Sequence, residues 1–136
     1  MACIKELLRN EENGAISFGD YSLPEKKKVE GFKSGDDILK VKTFKELTRL
    51  EKNDLFVYES VPGTAVFDFA ENDKGVTFKV SADEDVQITL GLSEDTEYSV
   101  YIDDVNTGKM KTNMSGKLSI SIELASQDVA DVKIVK

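Results

Sequence analysis

Asn72-Asp73-Lys74-Gly75-Val76-Thr77-Phe78-Lys79-Val80 joins a turn signal to a strict alternation of apolar and polar residues. Asn, Asp and Gly in succession suit a tight hairpin, because they tolerate positive φ at little cost. Val76, Phe78 and Val80 then share one face, and Thr77 and Lys79 the other, which is a half-buried strand. The same period runs outward along the chain. Val86, Ile88, Leu90 and Leu92 share a face; so do Tyr98, Val100 and Ile102, then Leu118, Ile120, Ile122 and Leu124, and finally Val132 and Ile134. Turn-forming clusters separate these runs at Ser93-Glu94-Asp95, Asp103 to Gly108, Asn113 to Gly116 and Ala125 to Asp128. Strands at this spacing without crossover helices predict an antiparallel β-sandwich or barrel and exclude a parallel sheet. Val76, Phe78, Val80, Val86, Ile88, Leu90, Val100, Ile102, Leu118, Ile120 and Ile122 should form one contiguous core.

Upstream the pattern is more mixed. Ile4, Leu7, Leu8 and Glu11 have helical spacing, and Asn13-Gly14 suits a helix stop, so a short helix is expected over 2–12. Residues 15–21 read as a strand. Residues 25–37 are polar, with Lys26-Lys27-Lys28 and the turn-like Ser34-Gly35-Asp36-Asp37. Leu39, Val41 and Thr43 alternate with Lys40 and Lys42. Residues 44–51 fit a helical turn or two, or a strand. Phe56, Val57 and Tyr58 put apolar groups on both faces, which places that strand deep in a sheet. Ala65, Phe67 and Phe69 form one face of the next.

The 136 residues are one domain by size, with enough chain to bury a core unaided. Asp and Glu number 26 against 18 Lys and Arg, for a net charge of −8. Such a surface repels phosphate backbones and anionic lipid heads, so neither nucleic acid nor membrane is an expected partner. The single Cys3 excludes an intrachain disulfide, and no apolar run resembles a signal peptide or spanning segment. A soluble protein of the cytoplasm is expected.

The chain has no histidine. That removes Ser-His-Asp and Cys-His catalysis and the commonest metal ligand. No cofactor and no transition metal is expected, and Cys3 reads as a packed thiol. Asp36-Asp37, Asp83-Glu84-Asp85 and Asp103-Asp104 lack the alternating spacing of a calcium loop and read as solvated turns. Three residues stand out as a ligand surface. Asp68 interrupts the apolar run Ala65-Val66-Phe67-Asp68-Phe69. It is either a site carboxylate or a residue whose face meets solvent. Tyr58 and Tyr101 are placed opposite the main apolar sets, where a tyrosine packs in the core or on the sheet face, stacks on a sugar or fills an interface.

Leu92–Val100 (LSEDTEYSV) resembles the stretch before strand F of fibronectin-type and other immunoglobulin-like domains. There a Leu precedes by six residues a Tyr that makes a corner hydrogen bond. Thr96 and Tyr98 match, and Glu94-Asp95 stands where Pro-Gly is usual. The resemblance implies a sandwich. More broadly, ISFGDY at 16–21, VKTF at 41–44, FVYESVPGTAV at 56–66 and KTN at 111–113 resemble a family of small, uncharacterised bacterial proteins sometimes labelled endosialidase. That label implies a carbohydrate-active role. A sialidase site clamps its substrate with clustered arginines, and this chain has only Arg9 and Arg49.

Two function classes follow. The first is a non-catalytic β-sandwich acting through binding or self-association, with a protein or glycan partner; a homo-oligomer is expected to bury residues 55–69. The second is a carbohydrate-active protein, either a glycan binder or a two-carboxylate hydrolase. Elemental analysis of the purified protein should find no stoichiometric zinc.

Overall fold

The computed structural model describes residues 3–125 and 127–136. Thirteen strands run in the order β1 (Leu8–Asn10), β2 (Ile16–Phe18), β3 (Lys27–Ser34), β4 (Asp37–Phe44), β5 (Leu47–Lys52), β6 (Leu55–Val61), β7 (Ala65–Asn72), β8 (Gly75–Ser81), β9 (Val86–Gly91), β10 (Glu97–Ile102), β11 (Val105–Lys111), β12 (Lys117–Ile122) and β13 (Ala130–Val135). Each strand pairs antiparallel with its neighbours. One sheet has seven strands, ordered β1-β2-β7-β8-β13-β10-β11; the other has six, ordered β12-β9-β6-β5-β4-β3. The chain is therefore an antiparallel sandwich, as the period-two pattern requires.

The core set expected from alternation is one cluster, with Ile102 part-buried at its margin. Asn72–Gly75 makes the hairpin between β7 and β8, where the Asn72 side chain accepts the Lys74 and Gly75 N–H groups. Within Leu92–Val100 the Tyr98 hydroxyl accepts the Ser93 N–H at 3.2 Å.

The helix expected over 2–12 is not formed among the described residues; Ala2 lies outside them. The Leu7 N–H bonds the Ile4 carbonyl at 3.0 Å, closing one turn, and Leu7 then takes φ 71°. That left-handed residue ends any helix. The chain enters β1 instead, so Ile4, Leu7 and Leu8 are buried from a turn and a strand. Their spacing satisfied both conformations, and pairing with β2 decided between them.

The two strands that the sequence pattern did not show, at 27–34 and 105–111, are both sheet edges. Residues 27–34 form β3 although their sequence is polar, because an edge strand half off the core needs no apolar alternation. Residues 47–52 are a strand. Only Asp103 and Asp104 form the turn after β10, and residues 105–111 are a strand exposed throughout.

Tyr58 does not lie opposite the main apolar sets: it takes the core-packing alternative, is fully buried and belongs to no ligand surface. Its ring meets Phe18, Phe69 and Phe78 at centroid distances of 5.2, 6.2 and 5.8 Å, each edge to face. A bulge between β5 and β6 is the reason. Leu50 pairs with Tyr58 and Glu51 with Phe56, which leaves Val57 as the extra residue and turns both Val57 and Tyr58 inward.

The chain itself covers Val57, Tyr58, Ala65, Val66 and Phe69, leaving Leu55 and Val61 as the exposed large apolar side chains of 55–69. Phe78→Ala removes a ring from the aromatic cluster and should cost about 3–5 kcal/mol in urea unfolding.

Candidate functional site

The outer face of the seven-stranded sheet carries what the inner face rejects. Thr77 and Lys79 point away from Phe78, Asp131 and Lys133 away from Val132, and Tyr101 away from Val100. Register brings these residues together across three strands. Lys79 pairs with Asp131, while Lys133 pairs with Thr77 on one side and Tyr101 on the other. The Lys133 ammonium lies 5.8 Å from the centroid of the Tyr101 ring, within cation–π reach.

Asp68 joins this face through a second bulge. Phe67 pairs with Lys79 and Ala70 with Thr77, so Asp68 and Phe69 occupy the irregularity. Asp68 takes φ 55°, a left-handed conformation that aspartate tolerates better than most residues. The bulge lets both Val66 and Phe69 reach the core, and Asp68 is turned out. Alternation alone puts Phe67 with Ala65 and Phe69; in the structure Phe67 is part-exposed and Val66 buried.

A polar relay from the edge of the sheet holds the bulge. The Asp68 N–H donates to Ser17 Oγ at 3.1 Å, and the Ser17 hydroxyl donates to Glu11 Oε2. Arg9 grips Glu11 through Nε at 3.3 Å and Nη2 at 3.1 Å. Ser17 is fully buried beneath this pair. The bond from Ser17, then the bond from Arg9, hold the Glu11 carboxyl below the usual carboxylate range.

Asp68, Lys79, Tyr101, Asp104, Asp131 and Lys133 line a cleft of about 260 Å³. Three carboxylates accept hydrogen bonds, two ammonium groups donate, and one aromatic ring offers a stacking surface. Of the three residues singled out from sequence, the fold brings Asp68 and Tyr101 into this cleft and places Tyr58 in the core. Sequence reading missed Lys79, Lys133 and Asp131, and took Asp104 for part of a solvated turn. The outward period of Lys79 and Lys133 was available as a signal, but their convergence depends on β13 pairing between β8 and β10.

The other acidic clusters serve turns. Asp37 Oδ1 accepts from Asn53 at 2.9 Å, Asp85 Oδ1 accepts the Leu124 and Ala125 N–H groups, and Asp103 Oδ1 accepts the Asp131 N–H. Among the described residues no group of three His, Cys, Asp or Glu is placed to hold a metal ion. Burial, together with the neighbouring Asp20 carboxylate, pushes the Cys3 thiol above its ordinary range.

Fold and cleft together define an antiparallel β-sandwich with a mixed-charge recess on one outer face. No protein-family model, curated protein or solved structure matches the chain.

Ser17→Ala deletes the acceptor of the Asp68 N–H and the hydroxyl donor to Glu11. It should cost about 1–3 kcal/mol, the loss of two part-buried hydrogen bonds, one of them to a carboxylate. Carboxyl NMR titration should find Glu11 moved up toward its ordinary range. A carboxyl that titrates low in the folded protein adds stability at neutral pH, and that stability is lost as pH falls through the folded value. The variant should therefore lose less stability on acidification than the parent.

Proposed function

We propose that this protein is a non-catalytic β-sandwich that works by binding, with the cleft between Asp68 and Tyr101 as its ligand site. The observation that carries the reading is Asp68 itself. A left-handed aspartate inside a strand is uncommon, and such backbone concentrates where a side chain must be aimed. Here the aimed carboxylate faces a recess that already holds an aromatic ring and two ammonium groups. The lack of histidine supports binding over catalysis.

A carbohydrate-active role is the second reading, favoured by carboxylates beside a tyrosine ring in one recess. Hydroxyl-rich ligands use carboxylate acceptors and stack their C–H faces on aromatic rings. Self-association through residues 55–69 has the exposed Leu55 and Val61 and the part-exposed Phe56 and Phe67 to offer, the other large apolar side chains being covered by the chain itself, so ligand binding is the better-supported half of the binding reading.

Amide shift mapping against neutral, acidic and amino-sugar oligosaccharides, and against short peptides, tests the assignment. Saturable shifts should centre on Asp68, Lys79, Tyr101 and Lys133. Asp68→Ala and Tyr101→Ala should each weaken binding about 10-fold or more, equal to about 1.4 kcal/mol. A ligand whose shifts map to the opposite sheet would overturn it, and release of reducing ends from an oligosaccharide would replace binding with hydrolysis.

A further inference from the structure

The two sheets leave four edges, and they differ. β1 is tied to the facing edge strand, with Asn10 Nδ2 donating to the Lys33 carbonyl at 3.0 Å. β3 is interrupted by a bulge between Val29 and Phe32, where Gly31 takes φ 65°. β12 buries alternate residues in the core. β11 is the one exposed at every position among the described residues.

Among the described residues β11 has a single sheet neighbour, β10, so one side of its backbone has no described strand beside it. Register places Val105, Gly108 and Met110 opposite Ile102, Val100 and Tyr98, on the inward-facing side of the sheet. Yet Val105 is 63% and Met110 39% exposed. β11 is thus not covered on this face, and Val105 and Met110 are the apolar side chains it leaves open. Unpaired backbone and uncovered apolar side chains together are what a strand-adding partner satisfies.

Charge selects the kind of partner. Val105–Lys111 contains Lys109 and Lys111 and no acid, in a chain of net charge −8. Lys109 faces Glu97 at 3.7 Å and Lys111 faces Asp95 at 3.3 Å, but these side chains are more than 60% exposed and such pairs exchange readily in water. Pairing with a second copy sets two molecules of net charge −8 side by side, which disfavours it. The local lysines suit a short strand bearing carboxylates.

We propose that β11 is a docking edge for an extended peptide segment in which acidic and apolar residues alternate. The segment adds as an eighth strand to the seven-stranded sheet. Its acidic side chains lie on the face of Lys109 and Lys111, and its apolar side chains extend the strip of Val105 and Met110.

The test uses the full chain and two capped seven-residue probes, one alternating Glu with Val and one alternating Lys with Val. The Glu probe should bind saturably in calorimetry and slow hydrogen exchange at the β11 amides. The Lys probe should bind at least about 10-fold more weakly. N-methylation of alternate backbone nitrogens in the Glu probe should abolish binding, which charge attraction alone does not explain. The exposed double variant Lys109→Glu, Lys111→Glu should reverse the preference. Equal binding of both probes, protection elsewhere than β11, or dimerisation through β11 in light scattering would each overturn the proposal.

Discussion

Tyr58 is the residue on which the two sheets meet. It stands on β6 of the six-stranded sheet, yet its ring is held by Phe18, Phe69 and Phe78 from the seven-stranded sheet. Burial raises the phenol above its ordinary titration range, so it stays neutral and must be hydrogen-bonded. Thr64 Oγ1, 2.8 Å away, meets that need and also bonds Ser60 Oγ at 2.9 Å. Thr48 Oγ1 donates to the Thr64 carbonyl and accepts the Thr64 N–H, each at 3.0 Å, and Thr43 Oγ1 joins it at 2.8 Å. The Asp20 N–H closes the chain on Thr43. Each buried hydroxyl in this network has a partner, which is the condition under which a polar cluster in an apolar core specifies one arrangement. Gly19 fits against it at φ 100°, where a Cβ would collide with the Thr64 carbonyl.

The aromatic cluster and the outer cleft are linked through the β7 bulge. Phe69 must face inward to meet Phe18 and Phe78, and Val66 is inward already. Three residues of regular strand would put them on opposite faces, so the extra residue is the cost of packing both. Asp68 is turned outward by that demand, and the Ser17–Glu11–Arg9 relay anchors its backbone. Core packing and site geometry are thus two consequences of one irregularity.

The strands after Asn72, β11 excepted, were legible because each has one face on the core and one on solvent. Val76, Phe78 and Val80, or Leu118, Ile120 and Ile122, report their burial directly through a period of two. The edges that bury little were not legible. β3 and β11 bury little, so selection for apolar alternation is weak there and turn-forming residues read as loop. Ile4, Leu7 and Leu8 fitted a helix as well as they fit a turn and a strand, because three buried positions do not separate the two periods.

What the sequence by itself determined was the class of fold, the central core and the absence of histidine chemistry. These depend on composition and local period, which a chain carries without folding. Asp68 and Tyr101 were visible as polar and aromatic exceptions to that period. Only the tertiary structure decided that they share a recess with Lys79 and Lys133, and that Tyr58 does not. Both outcomes turn on bulges at Val57 and Asp68, which shift alternation by one residue. A bulge is favourable only against a particular opposite sheet, so its physical cause lies in contacts that no local stretch of sequence contains.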